Sequence, residues 1–421
     1  MLLSFEVSNF RSIRMKQEIS FIASSLKDDG VDLIESEALP KEKILPAIVI
    51  YGANASGKSN VVKAFSSMLE AIRLSHRRGE PGGGVSRTPF LLDDACSTKP
   101  TTFEINFVLD GSRFNYGFEF SDDEYVAEWL YSYSSETGRR RKLYEREGQT
   151  FTFGRELKGR NQVIKDLTRT NSLFLSAAIQ NGHAALSTIG EFFRSVSFET
   201  SLSLESHNAT FRIGNEHSWN IGDNVIGFLN GLGTGASGYK VIDKTLSSDE
   251  LEVQDKFKNA IGSVMKSIDE DFEFAESDIN SKEIELGHLG VDGKKCYFPM
   301  HYESAGTLRL LSAMPKLFKA LASGTAVIID ELDLSLHTKA AEAILALFAS
   351  KDTNPKGAQL LATTHDTNLL QCSLLRRDQV WFTEKSEIGE TIVYPLTDIS
   401  TRRSDDIERG YLQGRYGAIP A

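Results

Sequence analysis

Residues 51 to 60 read YGANASGKSN, and Gly52 to Ser59 within them fit G-x-x-x-x-G-K-[ST]. That spacing lets backbone N–H groups turn onto a phosphate chain at the positive end of a helix. Lys58 would reach the β- and γ-phosphates of ATP, and the Ser59 hydroxyl would ligate Mg²⁺. Gly52, Asn54, Ser56, Gly57, Lys58, Ser59 and Asn60 are the candidate nucleotide residues of this loop. Far downstream, the apolar run Val327-Ile-Ile ends in Asp330 and Glu331. Asp330 stands where a carboxylate can hold Mg²⁺ through its water shell. Glu331 stands where a general base can orient an attacking water, so it joins Lys58 as a catalytic candidate. Three more groups carry chemistry: Asp333 with Leu334-Ser-Leu-His337, Thr363-Thr-His365-Asp366, and Glu303-Ser304-Ala-Gly306-Thr307.

These residues need elements to position them. Ile44 to Tyr51 is a buried strand by its unbroken apolar run, and Val61 to Ile72 is a helix. Leu2 to Asn9 and Ile19 to Ala23 read as strands. Phe103 to Leu109 alternates, turns at Asp110-Gly111 and resumes through Phe114 to Phe120, which is a hairpin pattern. Val126 to Tyr133, Arg141 to Arg146 and Thr150 to Phe153 continue the β character. From about Asn161 the period becomes helical, and Leu251 to Ile268 carries amphipathic helical spacing. Ala326 to Ile329, Gln359 to Thr363 and Val380 to Thr383 read as strands, with helices over Leu308 to Ala322 and Lys339 to Ala349. The expected fold is α/β: residues 1–154 and 291–421 as two parts of one head with an antiparallel β subdomain, and 155–290 as a mainly helical insertion. Gly233-Thr-Gly-Ala-Ser-Gly238 matches G-x-G-x-x-G, but no strand–helix unit brackets it, so it reads as a flexible loop.

The chain has 421 residues with 40% hydrophobic content, enough for one large or two ordinary domains. Its net charge of −11 excludes a bulk basic surface for nucleic acid and leaves only local patches. Cys96, Cys296 and Cys372 are far apart, as expected of thiols in a reducing compartment. No apolar run is long enough to span a membrane, and MLLSFEVSNF lacks the features of a signal peptide. The expectation is a soluble cytoplasmic protein with no membrane partner.

The order phosphate loop, Ser-x-Gly helix, Asp-Glu strand, Asp-Leu-Ser-Leu-His turn and strand-His resembles that of an ABC-type ATPase head. On that likeness Ser304 and Gly306 are the signature loop, Asp333 the D-loop and His365 a switch histidine touching the γ-phosphate. The opening LLSFEVSNFRSI, the GANASGKSN loop, ESAGT, DELDLSLH and the closing YLQGRYGAIP resemble the AAA15 (AAA_15/AAA_21) family, whose heads are SMC-like. The resemblance runs from the first strand to the C-terminus, and the helical insertion shares only its style. In related heads the Asn-Phe-Arg of the first strand helps hold nucleotide, which makes Arg11 a candidate. Members serve in bacterial anti-phage defence beside an effector, as in the PARIS, Septu and retron-associated systems.

The resemblance implies a homodimer through composite ATP sites, with room for a higher oligomer, a separate effector protein and a phage-derived trigger. It implies an ATPase with ATP and Mg²⁺ as cofactors. One departure stands out: Pro89-Phe-Leu-Leu-Asp93 occupies the Q-loop position without a glutamine, which leaves the Q-loop equivalent open and favours slow hydrolysis. A second reading is a DNA-repair or recombination ATPase gripping DNA directly through Arg73, Arg77, Arg78 and Arg139 to Lys142. A transporter motor is disfavoured by the long insertion. No nuclease or protease constellation emerges from the eight histidines, which places any killing activity in another protein.

Overall fold

The computed structural model describes residues 1–134, 137–199, 222–243 and 282–419. The chain forms two compact units, Met1–Glu199 with Lys319–Ala421, and Thr200–Phe318. It opens with β1 (Leu2–Ser8), β2 (Gln17–Ser20) and β3 (Ala47–Gly52), then the helix Lys58–Arg78. β4 (Thr101–Leu109), β5 (Ser112–Phe120), β6 (Tyr125–Tyr133), β7 (Arg140–Glu147) and β8 (Thr150–Phe153) follow. β9 (Ser197–Glu199) comes next, then β10 (Ala236–Asp243), β11 (Lys282–Leu289) and β12 (Lys295–Pro299) of the second unit. β13 (Ala326–Ile329), β14 (Gln359–Thr363), β15 (Val380–Lys385) and β16 (Thr391–Pro395) return to the first unit.

The first unit holds two sheets. One is antiparallel, in the order β2-β1-β4-β5-β6-β7-β8. Its β4–β5 hairpin turns at Asp110 (φ 47°) and Gly111 (φ 69°), the two positive dihedrals of a turn matched to strand twist. The other sheet runs β16-β15-β3-β14-β13-β9, parallel except for β16. β3, β13 and β14 are buried along their whole length, as strands covered on both faces must be.

The helix Lys58–Arg78 joins the sheets into one core. Its Phe65 ring lies 4.5 Å from Phe5 of β1 and 6.3 Å from Phe198 of β9. Truncating such a ring to Ala costs roughly 3–5 kcal/mol. The helix runs on to Arg78, beyond the Val61 to Ile72 span expected from the sequence.

The expected helical insertion, 155–290, is described only in part, and two features differ from a single helical block. Its first helices, Asn161–Leu167, Phe174–Gln180 and Ala184–Ser195, belong to the first unit. There Arg73 donates to the carbonyls of Phe193 and Val196. In the second unit the described residues hold the helix Asp223–Gly231 and the antiparallel sheet β10-β11-β12. The physical reason is a period of two: Ile284 and Leu286 are buried while Glu285 between them reaches solvent and pairs with Lys240. The G-x-G-x-x-G stretch is a turn only at Gly233 and Gly235, both at positive φ, and becomes β10 from Ala236. The Leu251 to Ile268 helix lies outside the described residues.

Candidate functional site

β3 delivers the chain straight into the loop that precedes Lys58. Gly57 sits at φ 115°, and a Cβ there would stand 2.1 Å from Thr391 Oγ1. A Cβ on Gly52 would stand 2.4 Å from Thr383 Oγ1. The loop is thus pressed against the ends of β15 and β16, and glycine is what permits it.

A chain of hydroxyls latches it there. Asn60 Nδ2 donates to Ser12 Oγ at 2.6 Å, and Ser12 Oγ meets Thr391 Oγ1 at 2.8 Å. Thr391 Oγ1 donates to the Ser56 carbonyl at 2.8 Å, and Ser56 Oγ meets Thr383 Oγ1 at 2.6 Å. The side chains of Ser56 and Asn60 are therefore engaged in the latch, whereas Asn54 stands exposed at the loop tip. Arg11, at φ 52°, immediately precedes Ser12; its N–H donates to Thr88 O, and its guanidinium lies 5.7 Å from the Phe10 ring centroid.

Lys58 is 5% exposed, and its Nζ donates to Gly52 O at 2.7 Å and Ala53 O at 3.0 Å. Burial brings its pKa down to about 8, against the pull of Asp330, Asp333 and Glu331. A buried ammonium held by two carbonyls, at the mouth of a helix N-terminus, suits a polyanion.

The acids arrive from the neighbouring strands. Ser59 Oγ donates to Asp330 Oδ1 at 3.3 Å, across 271 residues of sequence. Thr363, closing β14, donates to the same Asp330 oxygen at 2.6 Å and accepts the Glu331 N–H at 2.8 Å. Glu331 sits at φ 57°, which turns the chain sharply off β13. Asp333 Oδ1 accepts the Thr364 hydroxyl at 2.7 Å and the His365 N–H at 3.0 Å, so the two turns are tied together. The His365 ring has its pKa lowered, first by desolvation and then by the Lys58 charge, with Asp333, Glu331 and Asp330 opposing. Ser59, Asp330 and the phosphates' own oxygens are a donor set that suits Mg²⁺.

The structure thus brings Lys58, Ser59, Asp330, Glu331, Asp333 and His365 into one neighbourhood. Ser304 and Gly306 belong to the second unit. Ser304 Oγ accepts the Thr307 N–H at 3.1 Å and thereby opens the helix Ala305–Ser323. Asp93 is committed elsewhere: Arg14 Nε donates to it at 2.8 Å, and it caps the turn Asp94–Ser97. Ser12, Thr383 and Thr391 were not singled out from the sequence, and Thr363 was named only as the start of Thr-Thr-His-Asp, not as the support of Asp330. The only signal for Thr363 and Thr383 was a lone hydroxyl ending an apolar strand, LLAT and VWFT.

A parallel-centred sheet, a glycine-tight phosphate loop and an acid-ended neighbouring strand define a P-loop ATPase domain. The chain belongs to the AAA_21 family (AAA domain, putative AbiEii toxin, Type IV TA system), whose model matches residues 47–371. Membership implies ATP binding and hydrolysis, usually with Mg²⁺. A search of curated proteins finds no significant match. Among the described residues no helix is long and apolar enough to cross a membrane.

Proposed function

We propose that the chain is an ATP-hydrolysing switch that controls a partner effector in bacterial anti-phage defence. The observation that carries the ATPase part is the convergence of Ser59 and Thr363 on one oxygen of Asp330, beside the buried Lys58. Lys58 would hold the β- and γ-phosphates, and Ser59 with Asp330 would hold Mg²⁺. Mg²⁺, when bound, would offset the charge that develops on the phosphate oxygens. Glu331 would orient the attacking water and take its proton. His365, kept toward its neutral form, would donate to the γ-phosphate without adding a competing charge.

The site is completed by a second copy. In heads of this class Ser304 and Gly306 approach the nucleotide of a partner, so ATP holds two heads together and hydrolysis releases them. The change in association is the output, and a toxin or nuclease on a separate chain is what reads it. Support for that context comes from the family, whose description names an AbiEii toxin and a type IV TA system.

The test is phosphate release by the purified chain, together with the mass of the assembly formed with a co-expressed neighbouring gene product. Turnover with a nucleotide-dependent complex is expected. Turnover without any complex would favour the second reading, a repair ATPase acting directly on duplex DNA. That reading has lost one basic residue, since Arg73 is spent on the helix carbonyls of Phe193 and Val196.

A further inference from the structure

The outer face of the antiparallel sheet carries chemistry that the ATP site does not use. Trp129, Tyr131 and Tyr133 alternate along β6, so all three fall on one face, and all are half-exposed. They line an open cleft of about 430 Å³. The cations beside them are already seated on the rings. Arg113 lies 4.6 Å from the Tyr133 centroid and Arg140 lies 4.2 Å from that of Tyr131. Arg113 Nε is shut off from solvent and has no hydrogen-bond partner among the described residues.

The floor of the cleft is polar and fixed. Trp129 lies against its cross-strand neighbour Gly117, where an added Cβ would stand 2.3 Å from the indole. Its Nε1 donates to Asn115 Oδ1 at 3.1 Å. Asn115 Nδ2 in turn donates to Glu104 Oε1 at 2.9 Å and Asn106 Oδ1 at 3.3 Å. Burial raises the Glu104 carboxyl above its usual range, with the Asn115 hydrogen bond opposing, which softens the one acid in the cleft.

We propose that this face binds single-stranded nucleic acid, with bases stacked on Trp129, Tyr131 and Tyr133 and phosphates paired with Arg113 and Arg140. The lining decides the class of ligand. Among the described residues it is aromatic, amide and guanidinium with one carboxyl, Glu104, and no aliphatic side chain, and so offers a docking peptide little apolar surface. A duplex keeps its bases stacked inside, out of reach of the rings. A mononucleotide would use one ring, whereas here three follow each other at about 7 Å, twice the rise of a strand residue. Base–aromatic stacking tolerates any sequence because every base has a π-face. The net charge of −11 supplies no bulk attraction, so binding rests on stacking and a few local cations. Two or three neutralised phosphates give a salt slope of only about −1.4 to −2. The proposal does not depend on the ATPase reading, because it uses none of its residues.

The experiment is fluorescence anisotropy of labelled oligo-dT and oligo-rU with the full chain, competed by a hairpin duplex and by AMP. A thermal melt serves as the check of folding for each variant. The oligomers are expected to bind with a shallow salt slope. Trp129→Ala and Arg140→Glu should each weaken them about tenfold or more, and Trp129→Phe should restore most of the loss. If Trp129→Ala fails the folding check, the exposed Arg140→Glu decides alone. No oligomer binding, or binding untouched in folded variants, overturns the proposal. So does equal affinity for the duplex or for AMP.

Discussion

Thr363 Oγ1 lies 2.6 Å from Asp330 Oδ1 and, through the same atom, takes the Glu331 N–H at 2.8 Å. One hydroxyl on β14 therefore sets the direction of both acids at the end of β13. The carboxylate that would hold the metal and the backbone that aims the base share one support.

Replacing that support should show in turnover before it shows in folding. Thr363→Val keeps the shape and removes the hydroxyl, so ATP hydrolysis should fall roughly 10–100-fold, as for other supports of metal ligands. A higher Mg²⁺ requirement should accompany the loss, and Thr363→Ser should recover most of it. Mg²⁺ titrations of steady-state phosphate release, read beside a thermal melt, separate this from simple unfolding.

The Lys58 ammonium gives a pH signature. Its pKa in the free protein is about 8, lowered chiefly by burial, and bound phosphates would raise it. Below about pH 8 the proton is present before and after binding, so affinity should be flat. Above it, binding must bring a proton, and affinity should fall by up to about tenfold per pH unit. Calorimetry in buffers of different ionisation heat should record proton uptake near pH 9. Lys58→Ala should lose tight binding, at a cost of a few kcal/mol, and lose the proton uptake with it. Unchanged ATP affinity in that variant would remove Lys58 from the phosphate site.

Glu331→Gln keeps the volume and the chain turn but cannot take a proton. Nucleotide binding should survive while hydrolysis drops at least about a hundredfold. A variant that still turns over would mean that another group activates water.

The shared-site reading is tested by mixing. Ser304→Arg should fold and bind ATP, yet not hydrolyse it, because a long cation at the helix start would hold a partner head away. Mixed with Lys58→Ala chains, one composite site per heterodimer carries both faults and the other is intact. Activity should return on mixing, to about half per mixed dimer if the sites act independently. Two inert variants that stay inert together would count against Ser304 as a ligand in trans.

How far the sequence carried these assignments depended on the range of each signal. The phosphate loop and the Asp330–Glu331 pair were legible because fixed residue types sit at fixed local spacing. The β4–β5 hairpin was legible from alternation around Asp110-Gly111, and β8, β13 and β14 from short runs with clear ends. β9 was not, because three residues hold no period of their own and become a strand only beside β13. The β10–β12 sheet was missed where a helical reading was carried across residues that alternate. The pairing of Asp93 with Arg14, 79 residues away, leaves no local trace in the sequence.

The latch on the phosphate loop has a temporal side. Ser56 is held by Thr391, a residue 335 positions later, and Asn60 by Ser12. On a translating ribosome the loop emerges well before the strand that clamps it. Contacts of such separation close slowly. The nascent chain therefore exposes an unclamped phosphate loop until β16 has emerged and docked, and the full latch forms only then.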